Sequence, residues 1–157
     1  VDFTNGDLQL IEQARWIDAL NVQFFLAIDG LSWVLVALTL LINFVVVLST
    51  FIMDYERMRM YLAMFLFMQS MVIGVFTAFD AILFYFFWEG MLLPMYLCIG
   101  IWGASNRSYA AMKFFLYTFL GSVIMLLGFI YLGLQVGDFS FISMQAQTYY
   151  HTPSRFV

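Results

Sequence analysis

The chain has 157 residues, of which 64% are apolar, 20% aromatic and only 10% charged, with a net charge of −4. Soluble domains carry roughly 45–50% apolar and 25% charged residues, so this composition excludes a soluble enzyme and a disordered tail. Six Lys and Arg residues cannot build the basic face that a nucleic-acid partner needs. The composition therefore indicates a chain embedded in lipid, and we expect no nucleic-acid partner.

The first 29 residues are mixed in character and mildly acidic, which is not the pattern of a signal or transit peptide. We expect residues 1–29 to form a polar, non-cytoplasmic segment. Four long, almost uncharged segments follow, and each is long enough for a helix to cross a hydrocarbon core of roughly 30 Å. The predicted membrane helices are 30–53, 60–79, 81–102 and 114–135, with polar loops at 54–59 and 103–113 and a polar tail at 136–157.

The apolar runs are too uniform for barrel strands, which alternate in hydrophobicity over about ten residues. Because only helices and closed barrels satisfy their backbone in lipid, the sequence predicts an all-α integral membrane protein with four transmembrane helices. Asp29 and Asp80 precede the first and third helices, where a carboxylate can accept hydrogen bonds from first-turn amides. Asp80 leaves almost no loop, so the second and third helices should form a tight hairpin.

Lysine and arginine lie mainly on one side of the predicted helices. The loops at 54–59 and 103–113 hold four of the six, whereas the N-terminal segment and the tail hold Arg15 and Arg155. Cytoplasmic or matrix loops carry an excess of these residues. We therefore place both loops in the cytoplasm or matrix, and both termini with Asp80 on the opposite side.

Glu89 is the one charged residue within the predicted helix 81–102. At about 1.5 Å per residue it lies some 12 Å from one end of that helix and 20 Å from the other. An ionised acid at this depth costs at least a few kcal/mol, so the carboxyl must be neutral, paired or hydrated. Glu89 is therefore a candidate proton carrier, and the alternative is a protonated side chain that only hydrogen-bonds a neighbouring helix.

Residues near Glu89 in the same helix extend this hypothesis. Pro94 lacks an N–H and frees the carbonyl of Gly90, which places a backbone break beside the acid. Tyr85 and Tyr96 fall on nearly the same helix face as Glu89. Their hydroxyls are candidates for a polar path, and the alternative for both is packing alone.

Three further polar residues border or enter the predicted helices. Lys113 is a candidate proton relay if it points inward. The alternative is that it extends to the membrane interface and only contributes to the excess of basic residues on the cytoplasmic or matrix side. Asn43 and Gln69 lie deep in the first two helices. We expect them to hydrogen-bond between helices, with a water-lined path as the alternative.

Three segments carry a family resemblance: Phe25–Ser32 (FLAIDGLS), Phe87–Met95 (FWEGMLLPM) and Tyr109–Thr118 (YAAMKFFLYT). In this order they resemble the antiporter-like chain 4, or chain M, of respiratory complex I, the proton-pumping NADH:quinone oxidoreductase. The likeness runs from about Arg15 to Leu134. It implies that these four helices are a fragment of a larger antiporter-like helical bundle.

The resemblance also implies roles for individual residues. Glu89 matches the family's intramembrane glutamate, which exchanges protons with a lysine on a later, broken helix. Lys113 matches a lysine of the following helix. Because those later helices are missing here and the chain begins at Val1, we expect a partial chain that cannot pump alone.

The same resemblance implies a non-redox membrane subunit of an NADH:quinone oxidoreductase. No cofactor is expected in this chain, because NADH, FMN, iron–sulfur clusters and quinone would bind other subunits. Its partners would be other membrane-arm subunits, the lipid bilayer, and the remaining helices of the same subunit or a second chain that completes it. The form of the Glu89 motif favours a bacterial over a mitochondrial inner membrane.

Two other functions remain open from the sequence. One is a subunit of a multi-chain sodium/proton antiporter or of a membrane-bound hydrogenase arm, in which Glu89 serves cation exchange. Copurification with iron–sulfur and quinone-binding subunits would favour complex I over the antiporter. The other is a structural fragment needed only for assembly, in which loss of Glu89 leaves proton transport intact.

Overall fold

The computed structural model describes residues 8–17, 22–52 and 57–151, with side chains up to residue 146. Two strands precede five helices. They are β1 (Gln9–Ile17), β2 (Val22–Ile28), α1 (Gly30–Ile52), α2 (Met58–Thr77), α3 (Ala81–Trp102), α4 (Arg107–Val136) and α5 (Phe141–His151). Parts of the predicted loop 54–59 and of the predicted tail lie outside the described residues.

Helices α1 to α4 are long and apolar enough to cross a membrane. They contain 23, 20, 22 and 30 residues, and at about 1.5 Å per residue even α2 reaches roughly 30 Å. Only a small share of each helix is buried within the chain, which leaves wide apolar faces for lipid or for other helices. The predicted membrane protein with four helical spans is therefore confirmed.

Each of these helices packs against the next one along the chain. Between α1 and α2, Asn43 Nδ2 donates a hydrogen bond to Gln69 Oε1, as expected for two amides that would otherwise meet only lipid. Between α2 and α3, a Cβ placed on Gly74 would lie 2.4 Å from the ring of Phe87. The missing side chain at Gly74 therefore allows the two helices to approach closely.

Helices α2 and α4 differ most from their predicted bounds of 60–79 and 114–135. The predicted loop 103–113 is shorter, because α4 begins at Arg107. The apolar run marks where the hydrocarbon begins and not where the helix begins, and Arg107–Lys113 contains neither Gly nor Pro to interrupt it. Helix α2 ends at Thr77 because the next three residues are extended and form bridges to other segments.

The sequence predicted an all-α chain, but the structure also contains two β-strands. β1 and β2 form an antiparallel hairpin within the segment expected to be merely polar. Val22, Phe25 and Ala27 of β2 are buried, so this strand covers the end of the helices with an apolar face. Helix α5 lies in the predicted polar tail. Neither the hairpin nor α5 is long and apolar enough to span a membrane, so the apolar runs that predicted the four spans could not reveal them.

The extended link 78–80 lies between the hairpin and the start of α5. Phe79 N–H donates to the carbonyl of Phe25 at 2.9 Å, and Ala81 N–H donates to the carbonyl of Phe139 at 2.8 Å. The link also bridges β2 at Ala78 and the residue before α5 at Asp80. One end of the helices is thus covered by three segments that are far apart in sequence.

The two predicted N-caps are confirmed. Asp29 Oδ1 accepts from Ser32 N–H at 2.7 Å, and this hydrogen bonding holds the pKa of Asp29 below its ordinary value. Asp80 Oδ1 accepts from the amides of Ile82 and Leu83 at 2.9 and 3.1 Å. Both carboxylates therefore satisfy amides that the helix leaves unpaired.

Asp80 also reaches the hairpin. Its Oδ2 accepts from the Gln23 amide at 3.2 Å, and its side chain is completely buried. Burial raises the pKa of Asp80, and the nearby charge of Asp138 acts in the same direction. The amides that donate to Asp80 oppose this rise. One buried carboxylate thus joins the first turn of α3 to β2.

Candidate functional site

Glu89 lies in the middle of α3, eight residues after Ala81 and thirteen before Trp102. These separations correspond to about 12 and 20 Å along the axis. The helix runs without interruption through Pro94, so the acid projects from a continuous helix. The carbonyl of Gly90 nevertheless has no amide to accept from at position 94, because proline has no N–H.

The partner of Glu89 on the neighbouring helix is Ser122. Its Oγ forms a hydrogen bond with Glu89 Oε1, and its side chain is only 3% exposed. The antiparallel register of α3 and α4 explains the pairing, since the rings of Tyr96 and Phe115 lie 5.6 Å apart and seven residues along each helix bring the chain to Glu89 and Ser122. The carboxyl therefore faces a buried hydroxyl in the helix interface.

Ser122 has a second contact within its own helix, because its Oγ lies 2.9 Å from the carbonyl oxygen of Phe119. A hydroxyl carries one hydrogen and two acceptor lone pairs. If Glu89 is protonated, its O–H donates to Ser122, and Ser122 donates to the Phe119 carbonyl. If Glu89 is ionised, Ser122 turns its hydrogen to the carboxylate. The hydroxyl thus accommodates both protonation states.

Tyr85 completes the cluster from one helical turn away. Its hydroxyl is close enough to interact with both Glu89 and Ser122. Tyr85 can therefore donate to an ionised Glu89, which then receives two hydroxyl donors at once. Hydrogen bonds to a charged group are the strong ones, typically about 1.5–3 kcal/mol each.

Two other residues considered in the sequence analysis lie apart from this cluster. Lys113 is exposed, and its Nζ lies 5.4 Å from the ring centroid of Tyr109. It precedes Ser122 by nine residues, which places it about 13.5 Å away along the axis and on the opposite face of α4. Tyr96 lies about 10.5 Å along α3 from Glu89 and packs against Phe115. The structure brings neither residue into contact with Glu89.

Glu89 sits at the border between a packed and an open face of α3. On one flank, Leu92 is 2% exposed, whereas Phe86 and Leu93 on the other flank are 53% and 60% exposed. A Cβ placed on Gly90 would lie 2.8 Å from Met71 Sδ, so α2 also approaches closely at this level. The carboxyl is therefore held by Ser122 on one side and accessible to a further group on the other.

Ser122 is the candidate site residue that the sequence analysis missed. In an antiparallel pair joined by a short turn, a residue thirteen positions before the end of α3 faces one about thirteen positions after the start of α4. Counting from the true start at Arg107 leads to about residue 120, where Thr118 and Ser122 are the nearest hydroxyls. Counting from the predicted start at 114 leads to about residue 127 and conceals the partner.

Comparisons with known proteins show which family the chain belongs to. The family model described as NADH:quinone oxidoreductase/Mrp antiporter, transmembrane, matches residues 78–155, which include α3 and α4. The NADH-quinone oxidoreductase subunit M of Rickettsia felis is 42% identical over 138 residues, which cover 88% of this chain and 28% of the relative. The chain belongs to this antiporter-like family. The resemblance inferred from the three motifs is therefore confirmed.

Other members of the family give the same result. The subunit M of Rhodobacter capsulatus is 37% identical over 156 residues, which cover 99% of this chain and 30% of the relative. A structure of respiratory complex I from Thermus thermophilus with bound NADH contains a chain that matches with a TM-score of 0.74 and 28% identity. That match covers 87% of this chain and 29% of the other.

The match covers only part of each relative. This antiporter-like chain spans about three-tenths of the length of the curated relatives that it matches. The relatives named here are subunits of an NADH-quinone oxidoreductase, which is an enzyme complex. The part of the subunit that this chain represents crosses the membrane several times. Its helices α3 and α4 carry Glu89 and Ser122.

Proposed function

We propose that the chain is part of the membrane proton-translocation module of an NADH:quinone oxidoreductase, and that Glu89 relays protons coupled to quinone reduction. The observation that carries the proposal is the pairing of a mid-membrane carboxyl with the buried Ser122 hydroxyl. Acids within membrane helices mark proton and ion pathways by default. A carboxyl with hydroxyl partners for both of its protonation states is suited to take up and release a proton in place.

The change of protonation state needs a charge that approaches and withdraws. At 4 Å and an effective dielectric constant of 20, a cation interacts with an ionised carboxylate by about 4 kcal/mol. The open flank of α3 at Phe86 and Leu93 is where we expect a helix outside this chain to bring that cation.

Lys113 has a different place in this scheme. Its distance and its direction on α4 preclude direct exchange with Glu89 in this arrangement. We propose that it relays protons further along, toward helices that cover the exposed face of α4. Tyr96 lies between the levels of Glu89 and Lys113 along the helix pair, which supports a place for its hydroxyl on the path.

The rest of the complex supplies what this chain lacks. We propose that the chain is a non-redox subunit without activity alone, and that NADH, FMN, iron–sulfur clusters and quinone bind other subunits. Its partners would be other membrane-arm subunits and the helices that complete the antiporter-like bundle, whether they belong to the same polypeptide or to a second one. The bacterial relatives support a location in a bacterial inner membrane.

The test is Glu89→Gln in the intact membrane complex, with NADH-driven proton uptake and quinone reductase rate measured on the same vesicles. Gln keeps the size and polarity of the side chain and removes the proton that it carries. We expect a large loss of both activities, because the redox turnover would be coupled to this site. Glu12→Gln is the matched control, since Glu12 is an exposed acid of the hairpin, and it should change neither rate.

Unchanged pumping at an unchanged reductase rate in Glu89→Gln would contradict the relay and favour a structural fragment needed only for assembly. In that case, loss of the whole chain would still abolish pumping. The assembled amount of the complex, measured in the same membranes, separates this outcome from a simple folding defect.

A second candidate is a subunit of a multi-chain sodium/proton antiporter, a group that the matched family model also includes. Glu89 would then exchange cations without any redox reaction. In the related alternative, a membrane-bound hydrogenase arm, electrons from a donor other than NADH would drive the exchange. Proton uptake that follows an imposed sodium gradient in the absence of NADH would favour this function. Proton uptake that requires NADH would favour the oxidoreductase.

A further inference from the structure

A pocket of about 240 Å³ lies where α2, α3 and α4 meet at the basic side of the helices. Arg57, Gly100, Ile101, Trp102 and Arg107 line it. None of these five residues is acidic, and two of them carry guanidinium groups. The pocket is far from Glu89, which lies thirteen residues before the end of α3, so it does not belong to the proton site.

One of the two arginines is held in place by the protein itself. Arg107 Nη1 donates to the carbonyl oxygen of Ile101 at 2.7 Å, which fixes the guanidinium at the wall of the pocket. A guanidinium has five N–H donors in a planar fork, so this hydrogen bond leaves others to bind a ligand. Planar, paired donors match the oxygens of a phosphate group.

The backbone around the pocket adds to the positive potential. Arg57 and Asn106 stand immediately before α2 and α4 in left-handed conformations, and neither forms a side-chain capping hydrogen bond. The N-terminal end of a helix carries a partial positive charge that favours anions. Two helix starts therefore border the pocket against one helix end, that of α3 at Gly100–Trp102, so the net contribution of the helix ends is positive.

The charge of the sequence on this side has the same sign. Four basic residues stand against two acidic ones: Arg57, Arg59, Arg107 and Lys113 against Asp54 and Glu56. Basic pockets between membrane helices on the cytoplasmic or matrix side bind the head groups of anionic lipids. An anion at this position is therefore favoured by both local and long-range electrostatics.

The depth of the pocket identifies the source of the anion. The ring of Trp102 packs edge-on against Tyr61 at 5.1 Å, and such aromatic residues concentrate at the level of lipid head groups. Exposed apolar side chains begin within five residues of the arginines, with Met60 on α2 and Met112 on α4. A ligand with a phosphate group and acyl chains can occupy both surfaces, whereas free phosphate uses only the first.

We infer that this pocket binds the phosphate of an anionic phospholipid head group, held by Arg57 and Arg107 beside Trp102. The site is independent of the proton relay at Glu89. It ties the connected ends of α2, α3 and α4 to the bilayer surface, on the side opposite the hairpin.

Native mass spectrometry of the full polypeptide, purified and incubated with equimolar phosphatidylglycerol and phosphatidylcholine of the same chain length, tests this inference. We expect phosphatidylglycerol adducts to exceed phosphatidylcholine adducts about 25-fold, because the two arginines contribute about fivefold each. Each arginine removed should lower the preference by about fivefold, so that R57Q/R107Q shows none. Arg59→Gln is the matched control, because Arg59 lies on the same side and does not line the pocket; it should retain the preference.

A charge-conserving variant guards against misfolding. R57K/R107K should keep most of the preference if R57Q/R107Q loses it through charge and not through a folding defect. Equal adducts of both lipids in the original chain would overturn the inference, as would an equal loss in Arg59→Gln. An inorganic phosphate adduct that forms in phosphatidylcholine and disappears in R57Q/R107Q, without any lipid preference, would reassign the pocket to a free anion.

Discussion

Replacing Ser122 with Ala tests the role of the hydroxyl opposite Glu89. The change removes one oxygen from a side chain that is 3% exposed and leaves the small volume of the site almost unaltered. The contacts of the Ser122 hydroxyl with Glu89 and with the Phe119 carbonyl are lost, as is its interaction with Tyr85. The Phe119 carbonyl keeps its place in the helix, so the main effect falls on the carboxyl.

The expected magnitude follows from the charge state of Glu89. A hydrogen bond to an ionised carboxylate contributes about 1.5–3 kcal/mol, compared with about 0.5–1.5 kcal/mol for neutral partners. Removal of the hydroxyl should therefore slow the step that releases the proton by the difference, roughly 1–2 kcal/mol, or about 5- to 30-fold in its rate. Tyr85 remains as a donor, so the loss should stay well below that of Glu89→Gln.

The assay is NADH-driven proton uptake, compared with the quinone reductase rate in the same membranes. We expect the pumping rate of Ser122→Ala to fall by about 5- to 30-fold if deprotonation of Glu89 limits the rate, and to fall less if another step does. Ser122→Thr keeps a hydroxyl and should restore most of the rate. Ser70→Ala is a matched control, because Ser70 on α2 is exposed and bonds only the carbonyl of Leu66.

Infrared spectroscopy of the protonated carboxyl gives a second readout, since its carbonyl band shifts when a hydrogen-bond partner is removed. The band is assigned by its absence in Glu89→Gln. If Ser122→Ala changed neither this band nor the pumping rate, the reasoning about the shared hydroxyl would be refuted, and the contact would be one of packing.

Two further predictions concern stability. Gly74→Ala should lower the free energy of unfolding by about 1–3 kcal/mol, because the new Cβ would lie 2.4 Å from the Phe87 ring. Thermal unfolding measures this change. Gly121→Ala is the control and should be close to neutral, because its Cβ would meet no atom within 4 Å. The buried Asp80 has a pKa raised above its ordinary 3.8, so the folded state holds a proton that the unfolded state releases. Hairpin stability should therefore rise as the pH falls through the raised pKa toward 3.8, whereas Asp29, with its lowered pKa, loses stability only below 3.8. Hydrogen exchange of the β2 amides, corrected for the intrinsic rate, measures how hairpin stability depends on pH. Asp80→Asn should remove this pH dependence. A decrease in protection as the pH is lowered toward 3.8 would contradict the prediction.

The sequence predicted the features that depend on long apolar runs and on single capping residues. Four spans follow from the length of apolar sequence that lipid requires, and the caps at Asp29 and Asp80 follow from the acceptor that a helix start needs. The amide pair of Asn43 and Gln69 was expected because a polar group deep in lipid must find a partner. Glu89 stood out because its charge is costly at that depth.

The missed features depend on contacts between distant segments. The hairpin has a buried face at Phe25 only because the end of the helix bundle lies beneath it, and no local pattern reveals that neighbour. Ser122 was hidden by an error of seven residues in the start of α4, which was placed where the apolar run begins. Lys113 was considered as a proton relay that points inward, but half a turn of helix separates its direction from that of Ser122.

The two ends of α3 differ in how firmly they are held. Asp80 ties the first turn to β2, and the link before it is hydrogen-bonded to both the hairpin and the start of α5. Pro94 interrupts the hydrogen-bond ladder one turn beyond Glu89, and a missing ladder bond is where helices bend. The first turn of α3 is therefore tied to two other segments, whereas the carbonyl of Gly90, beside Glu89, lacks its ladder hydrogen bond. Under the proposed relay, we expect the start of α3 to stay in place when a charge approaches Glu89, and any bending of the helix to occur beyond the acid.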